Sequence, residues 1–424
     1  MNIGIGDMNI GIYVTSLTPS SPSQARVQGA ILEGIRRLAT GRYRFIIFSH
    51  EVPESFKDTR DVAYQALERE GRWSRAALDL KSLIGRLLLL ICKLTGAGGG
   101  RLSHRIGRWM RPEPKYYGQL RKLNVRLLWN MNQHELRTEL PYIRTIWEAN
   151  HRIHPMYPEY SYTRFTFDGL DANMTNSLAR ASYVIVGTEE GRRQVVSMFG
   201  VHAEKVRVVP FPTPELPTAQ NGSLPPNRTV VATPYLFYPA RFWPHKNHVV
   251  ILSALRILQQ EHNIKFACIF SGADEGNLGY VMRYAAQLGV KQQVEHVGLV
   301  TEEELVSLYT GAFALVYASA VGPDNLPPLE AMSLGCPVIT AQVPGASEQY
   351  GDAALYFEPG DEHVLAQRIL ELNGDNALRE KLICRGRARA ASVTVEDYAE
   401  KVTSILDEFA VVARSWERCD SAFT

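Results

Sequence analysis

The 424-residue chain has only five cysteines, Cys92, Cys268, Cys336, Cys384 and Cys419, and they form no pattern. With their odd number, wide scatter and lack of Cys-x-x-Cys spacing, neither a disulfide framework nor a zinc site is indicated. No apolar run approaches the ~20 residues needed to span a bilayer. No secretory leader opens the chain either, so a reducing cytoplasm is the expected compartment. Excess charge of one sign is also lacking: the net charge of +2 excludes nothing by itself.

What is present is a long alternation of short apolar runs and amphipathic stretches. At this length one hydrophobic core does not suffice, and two domains of roughly 200 residues each are expected. Strands are expected at Ile10–Val14, Tyr43–Ser49, Val125–Asn130, Tyr142–Trp147, Ala181–Gly187 and Val206–Pro210, with helices at Val27–Leu38 and Glu189–Phe199. The second half continues with helices at Val249–Glu261 and Leu278–Leu288 and strands at Lys265–Phe270, Val294–Val297 and Phe313–Tyr317. Such alternation argues for doubly wound parallel sheets. Thr188, Thr301 with Glu304, and Thr394 with Asp397 are expected to cap helices. Between the halves, 212–228 is rich in Pro, Asn, Gly and Ser and reads as a linker. The opening Met-Asn-Ile-Gly-Ile is repeated from Met8, so the first strand is expected in the second copy, with the first seven residues a start-site artefact.

The most informative stretch runs from Ser319 to Gln342. The run before it, Phe313–Tyr317, lacks alternation, as expected of a strand covered on both faces. Gly322-Pro-Asp turns the chain, Asn325 is a good N-cap, and Pro327 and Pro328 fall where a missing N–H costs little. Gly335 closes the helix. A helix N-terminus at the C-terminal edge of a parallel sheet is a ready anion site. Glu330 lies about a turn further in, placed to accept hydroxyls from whatever carries the anion. An anion bearing a polyol suggests a nucleoside diphosphate. Arg241 and Lys246 share one loop after another expected strand, and two cations converging on a diphosphate would stabilise charge developing on it as it leaves.

Arg241 with Lys246, followed far downstream by Leu-Pro-Pro-Leu-Glu-Ala-Met-x-x-Gly-x-Pro-Val-Ile, resembles the donor half of the large retaining GT-B glycosyltransferase family. That family includes the bacterial O-antigen and capsule mannosyl- and related transferases. The similarity is continuous from about Tyr235 to Leu372 and traceable from about Leu140 to Phe211. It implies an α/β fold of two Rossmann-like doubly wound domains facing each other across a cleft, and a nucleoside diphosphate sugar as donor. It also implies no cofactor and no metal, and the chain has no Asp-x-Asp, the pair used by metal-dependent transferases of the other major fold. The implied domains are 1–211, with an insertion at about 60–123, and 234–393. A linker at 212–233 joins them, and a C-terminal helix within 394–424 returns to the first domain.

By the same resemblance Arg241 and Lys246 hold the donor diphosphate, the backbone at Asn325 and Leu326 caps it, Glu330 binds the ribose and Gly298 lines the base. His151, in the segment from Glu148 to Pro158, corresponds to an active-site histidine near the reacting sugar, with His154 the second candidate on the acceptor side. A plain reading of either is a satisfied, non-catalytic imidazole. Where the family has a second glutamate eight residues before Glu330, this chain has Gly322, within a Gly-Pro-Asp-Asn that resembles a recurrent variant. The loop Thr15–Arg26 lacks the family's usual glycine pair. Arg26 and the loop serines are acceptor-side candidates or simply a solvated turn.

Within the expected insertion, 81–122 carries ten lysines and arginines against Glu113 alone. The apolar run Leu83–Leu94 is broken by Arg86 and Lys93 and followed by Trp109, Tyr116 and Tyr117. It reads either as an element lying on an anionic membrane surface or as a core helix followed by a solvated basic face. Gly96–Gly100 reads as a flexible joint. Nucleic acid is not an expected partner, because no recognised reading module accompanies the basic run.

The leading expectation is a transferase that moves a hexose-type sugar from a nucleoside diphosphate, GDP-mannose by choice, to a hydroxyl of a lipid-linked or growing polysaccharide. It would act in the cytoplasm, and on the membrane reading of 81–122 as a peripheral protein on the inner face of the plasma membrane. A nucleotide-sugar epimerase, a phosphorylase and a non-catalytic sugar-nucleotide-binding partner remain as alternatives.

Overall fold

The computed structural model of the chain describes residues 8–14, 23–38, 41–50, 52, 58–67, 83, 84, 87, 88, 115–132, 138–161, 167–216 and 234–415. Thirteen described strands form two all-parallel sheets, one of seven strands in the order β3-β2-β1-β4-β5-β6-β7 and one of six in the order β10-β9-β8-β11-β12-β13. Contacts divide the chain into two compact units, residues 1–18, 39–130 and 136–142 in one and 19–38, 131–135 and 143–424 in the other.

The first unit holds β1 (Asn9–Tyr13), β2 (Arg44–Ser49), β3 (Val62–Ala66) and β4 (Val125–Asn130). β1 is central, with Ile10 opposite Phe45 and Leu127, and Ile12 opposite Ile47 and Trp129. All of these side chains are buried. Continuous apolar runs are what a parallel strand covered on both faces requires. Near the start of the expected insertion the chain adds a strand to the sheet: β3 pairs with β2, Phe48 opposite Gln65. At the other end of the same segment, Lys115–Lys122 is a helix leading into β4. β3 escaped sequence reading because an edge strand buries little, and in Val-Ala-Tyr-Gln-Ala only Val62 is fully covered. Of the Leu83–Leu94 run, Leu83, Ile84, Leu87 and Leu88 are helical and exposed, Leu83 to 66 %. The remainder of that run and the glycine tract 96–100 lie outside the described residues, as do most of the expected linker and the loop serines.

The second unit contains β5 (Tyr142–Thr145, apart from its first residue), β6 (Tyr183–Val186) and β7 (Val206–Val208). It also contains the whole second sheet: β8 (Tyr235–Pro239), β9 (Ala267–Ser271), β10 (Val294–His296), β11 (Ala314–Tyr317), β12 (Val338–Ala341) and β13 (Leu355–Phe357). β8 lies between β9 and β11, with Leu236 opposite Cys268 and Ala314. The chain therefore winds outward from β8 through β9 to β10, then restarts on the other side at β11. That reversal makes the gap between β8 and β11 a topological switch point, where open parallel sheets bind ligands.

The caps expected from sequence are present. Thr188 accepts the Gly191 N–H, and Thr301 with Glu304 and Thr394 with Asp397 form capping boxes. The last helix, Val395–Ala413, packs on the first, α1 (Ser23–Leu38). Gly34 makes that approach possible, since a Cβ there would lie 2.7 Å from the Val395 carbonyl oxygen. Phe211 stacks on Trp147 at 4.2 Å between ring centres and lies 6.1 Å from the ring of Tyr398 in the last helix. Among the described residues no helix is long and apolar enough to cross a membrane, and Cys268, Cys336 and Cys384 are free thiols.

Candidate active site

The loop that leaves β8 is pinned at every turn. Ala240 N–H reaches the Ser271 carbonyl, Phe242 N–H the Ala273 carbonyl, and residues Pro244–Lys246 form a 3-10 turn that ends at Asn247 in the left-handed region, φ 54°. The Tyr238 hydroxyl holds the Lys246 carbonyl at 2.7 Å. Beneath the loop, Phe242 stacks on the buried His248 ring at 4.2 Å. Burial of that imidazole pushes its pKa down to about 3, so it acts as a neutral aromatic wedge. A loop held this way presents its two cations in a fixed geometry before any ligand arrives.

Lys246 turns toward the segment that leaves β11. Its ammonium donates to the Ser319 hydroxyl at 3.3 Å and to the Tyr317 hydroxyl at 3.4 Å. Tyr317 in turn donates to Asn325 Oδ1 at 3.0 Å. An ammonium has three protons, both of these contacts are long, and among the described residues Lys246 has no carboxylate partner. It is placed to bind an anion at the switch point. Arg241 instead pairs with Glu275 at 2.7 Å on the neighbouring loop after β9. Gly272 ties that region to Gly298 by donating to its carbonyl at 2.8 Å, and a Cβ on Gly272 would strike the backbone of Ala240 and Arg241. Gly298 itself adopts φ 71° at the end of β10. Three strand ends, those of β8, β10 and β11, thus supply the expected donor-side residues, and the loop after β9 supplies the carboxylate that pairs with Arg241.

The helix of the Leu-Pro-Pro-Leu-Glu motif spans Pro327–Ser333, with both prolines in its first turn and Gly335 at φ 75° closing it. Asn325 does not cap it. The capping position is Leu326, with no side-chain bond, and the Asn325 amide instead donates to the Val321 carbonyl while accepting from Tyr317. Its backbone N–H is taken by Gln349 Oε1 at 3.1 Å. The prolines explain the shift: they leave few N–H groups for a cap to serve, so Asn325 stiffens the turn instead.

Glu330 is wholly buried, and both of its oxygens are engaged. Oε1 receives Arg26 at 2.8 Å and Oε2 the Tyr309 hydroxyl at 2.9 Å. Arg26, expected on the acceptor side, therefore lies on the residue expected to bind the donor. His151 and His154 also part company. His151 is buried, with Nε2 3.2 Å from Asp171, and its ring packs near Phe167 and Phe199. Asp171 is also gripped by Arg152. His154 faces Tyr157, whose ring in turn meets the edge of His245 in the cation-bearing loop.

Tyr317, Tyr309 and Glu159 carry this arrangement and gave no signal in the sequence. Tyr317 and Tyr309 read only as strand and helix positions. Glu159 accepts both the ring and the backbone N–H of His245. Burial and the neighbouring Lys246 lower the His245 pKa, while the bonds from His245 outweigh burial and lower that of Glu159. A neutral ring donating Nδ1–H to an ionised carboxylate satisfies both. Among the described residues no group of three or more His, Cys, Asp or Glu is arranged to hold a metal ion.

Residues 226–389 match the model of the family "Glycosyl transferases group 1". The match spans both cation positions and the Pro327–Ser333 helix. The two-sheet architecture is the GT-B glycosyltransferase fold. Sucrose-phosphate synthase from Thermosynechococcus elongatus superposes with a TM-score of 0.68 over 96 % of this chain and 100 % of that one, at 15 % identity. HepE of Anabaena, in complex with UDP-glucose, gives 0.64 over 95 % and 100 % at 14 %. In sequence the chain is 27 % identical over 239 residues to the O-antigen chain mannosyltransferase B of Escherichia coli, a match covering 54 % of this chain and 61 % of that protein. The chain thus spans about three-fifths of the length of that relative.

Proposed function

We propose that the protein transfers a hexose-type sugar from a nucleoside diphosphate donor, with GDP-mannose the first candidate, to a hydroxyl of a lipid-linked or growing polysaccharide, with retention of configuration. The observation that carries this reading is the position of Lys246. Its ammonium stands at the switch point of a nucleotide-type sheet, held by two hydroxyls and without a carboxylate partner among the described residues. A fixed cation at a departing diphosphate stabilises charge where it develops and costs no reorganisation during the reaction. Arg241 adds a second cation once its exposed pair with Glu275 opens. Glu330 supplies a buried acceptor for ribose hydroxyls, Gly298 and Leu326 offer backbone to base and phosphate, and His154 faces the acceptor. The mannosyltransferase relative supports the choice of mannose.

For a lipid-linked acceptor the protein would work on the inner face of the plasma membrane. The four exposed apolar side chains at 83, 84, 87 and 88, in a stretch rich in lysine and arginine, support that placement. The proposed division assigns the acceptor to 1–211 and the donor to 234–393.

The test is donor turnover, with and without candidate acceptors, by wild type and Lys246→Ala. Loss of about 10²–10³-fold in turnover is expected for the variant, by analogy with the removal of one electrostatic contact in other active sites. Near-wild-type turnover with an intact fold sinks the role of Lys246. Activity that needs free phosphate, or no acceptor alcohol, identifies a phosphorylase or epimerase instead. Binding of nucleotide sugar without turnover identifies a non-catalytic partner.

A further inference from the structure

We infer that Arg26 is an exchangeable occupant of the ribose seat: entry of the donor moves its guanidinium from Glu330 onto the diphosphate. The inference rests on the donor-site reading above and adds a residue from α1 to it. Glu330 has no exposed surface, and Arg26 is its cationic partner at 2.8 Å. Removing one partner of a buried ion pair is strongly destabilising unless another group takes its place. A ribose diol is such a group, since its hydroxyls donate to the same carboxylate oxygen. The guanidinium needs a destination too. Its Nε is buried and has no hydrogen-bond partner among the described residues, so the pair with Glu330 leaves the fork only partly used. A diphosphate offers the bidentate acceptor that a guanidinium fits best. Tyr309, held at 2.9 Å on the other oxygen, keeps the Glu330 carboxylate in place during the exchange.

The two halves of the ligand are therefore expected to respond oppositely to Arg26. A nucleoside alone must break the ion pair and offers the cation nothing in return. A nucleoside diphosphate supplies both replacements. Binding of guanosine, GDP, uridine and UDP is measured by calorimetry on the full chain, using whichever base the wild type prefers. In Arg26→Gln, whose amide still donates to Glu330, the diphosphate is expected to bind about tenfold more weakly, while the nucleoside binds as well as to wild type or better. Arg26→Lys, which keeps the charge without the bidentate fork, is expected to recover only part of the diphosphate affinity. Thermal unfolding of both variants checks that the fold survives, and the ratio of the two affinities within one variant is insensitive to partial loss of folded protein. Equal weakening of both ligands, or no change in either, overturns the exchange. Failure of wild type to bind either diphosphate overturns the donor-site reading itself.

Discussion

The Asp324 carboxylate lies directly against Gly187, the residue that follows β6, where a Cβ would collide with it. It therefore turns away from the anion site that its own turn helps to build. Next to it, Glu348 accepts the N–H groups of Glu189 at 2.7 Å and Glu190 at 3.3 Å, so both carboxylates gather at the positive end of the Glu189–Phe199 helix. Gly187 is required there: a Cβ would run into Asp324 and lie 2.6 Å from the Phe211 ring.

Asp324 is expected to weaken the fold at neutral pH. Burial, and then the charge of Glu348, raise its pKa, with the Gly187 N–H opposing them. A carboxyl raised in the folded state contributes stability that is full below its unfolded value near 3.9 and is lost as pH rises through the folded value. Asp324→Asn removes that dependence. Its unfolding temperature should exceed wild type by about 2–4 °C at pH 8, with the gap closing toward pH 4. A lower value at pH 8 would mean that Gly187 and the helix end serve the ionised carboxylate well.

The two histidines of the 148–158 segment should separate in their effects. Burial lowers the His151 pKa against the pull of Asp171. Such a group favours the neutral ring, so its contribution is present above about pH 6.5 and is lost as pH falls below that. His151→Asn should lower the unfolding temperature at pH 8 and flatten the acid side of the stability profile. His154→Ala should leave unfolding unchanged within about 1 °C and cut sugar transfer instead. The reverse pattern, with turnover lost at His151 and kept at His154, would place His151 and not His154 in the reaction.

Local signals in the sequence carried most of the architecture. β4 and the Glu189–Phe199 helix have the bounds that periodicity and capping imply, because a buried parallel strand and a Thr-capped helix each announce their own ends. β3 did not, since its pairing partner and not its own composition makes it a strand. The same limit governs the site. Lys246 and Glu330 stood out by spacing and residue type, but Arg26 meets Glu330 across 304 residues of sequence and His245 meets Glu159 across 86. No window on the chain contains such a pair. The Asn325 cap was misplaced for a related reason: its amide chose Tyr317 and Val321, partners that only the folded turn brings near.

Tyr317 offers the sharpest test of how the cation is held. Its hydroxyl accepts from Lys246 and donates to Asn325, so it couples the loop after β8 to the turn after β11. Phenylalanine keeps the ring, which packs edge-on against Tyr238 at 5.5 Å, and removes only the coupling. Asn325 Oδ1 then loses the Tyr317 hydroxyl as donor within a buried turn, a cost of about 1–3 kcal/mol, which should lower the unfolding temperature by a few degrees. Lys246 keeps Ser319 but gains freedom, and a misplaced charge loses part of its advantage in the transition state. Tyr317→Phe is therefore expected to reduce kcat about tenfold, with the donor KM little changed. If KM rises while kcat holds, Tyr317 serves donor binding alone, and Lys246 needs no help from it during sugar transfer.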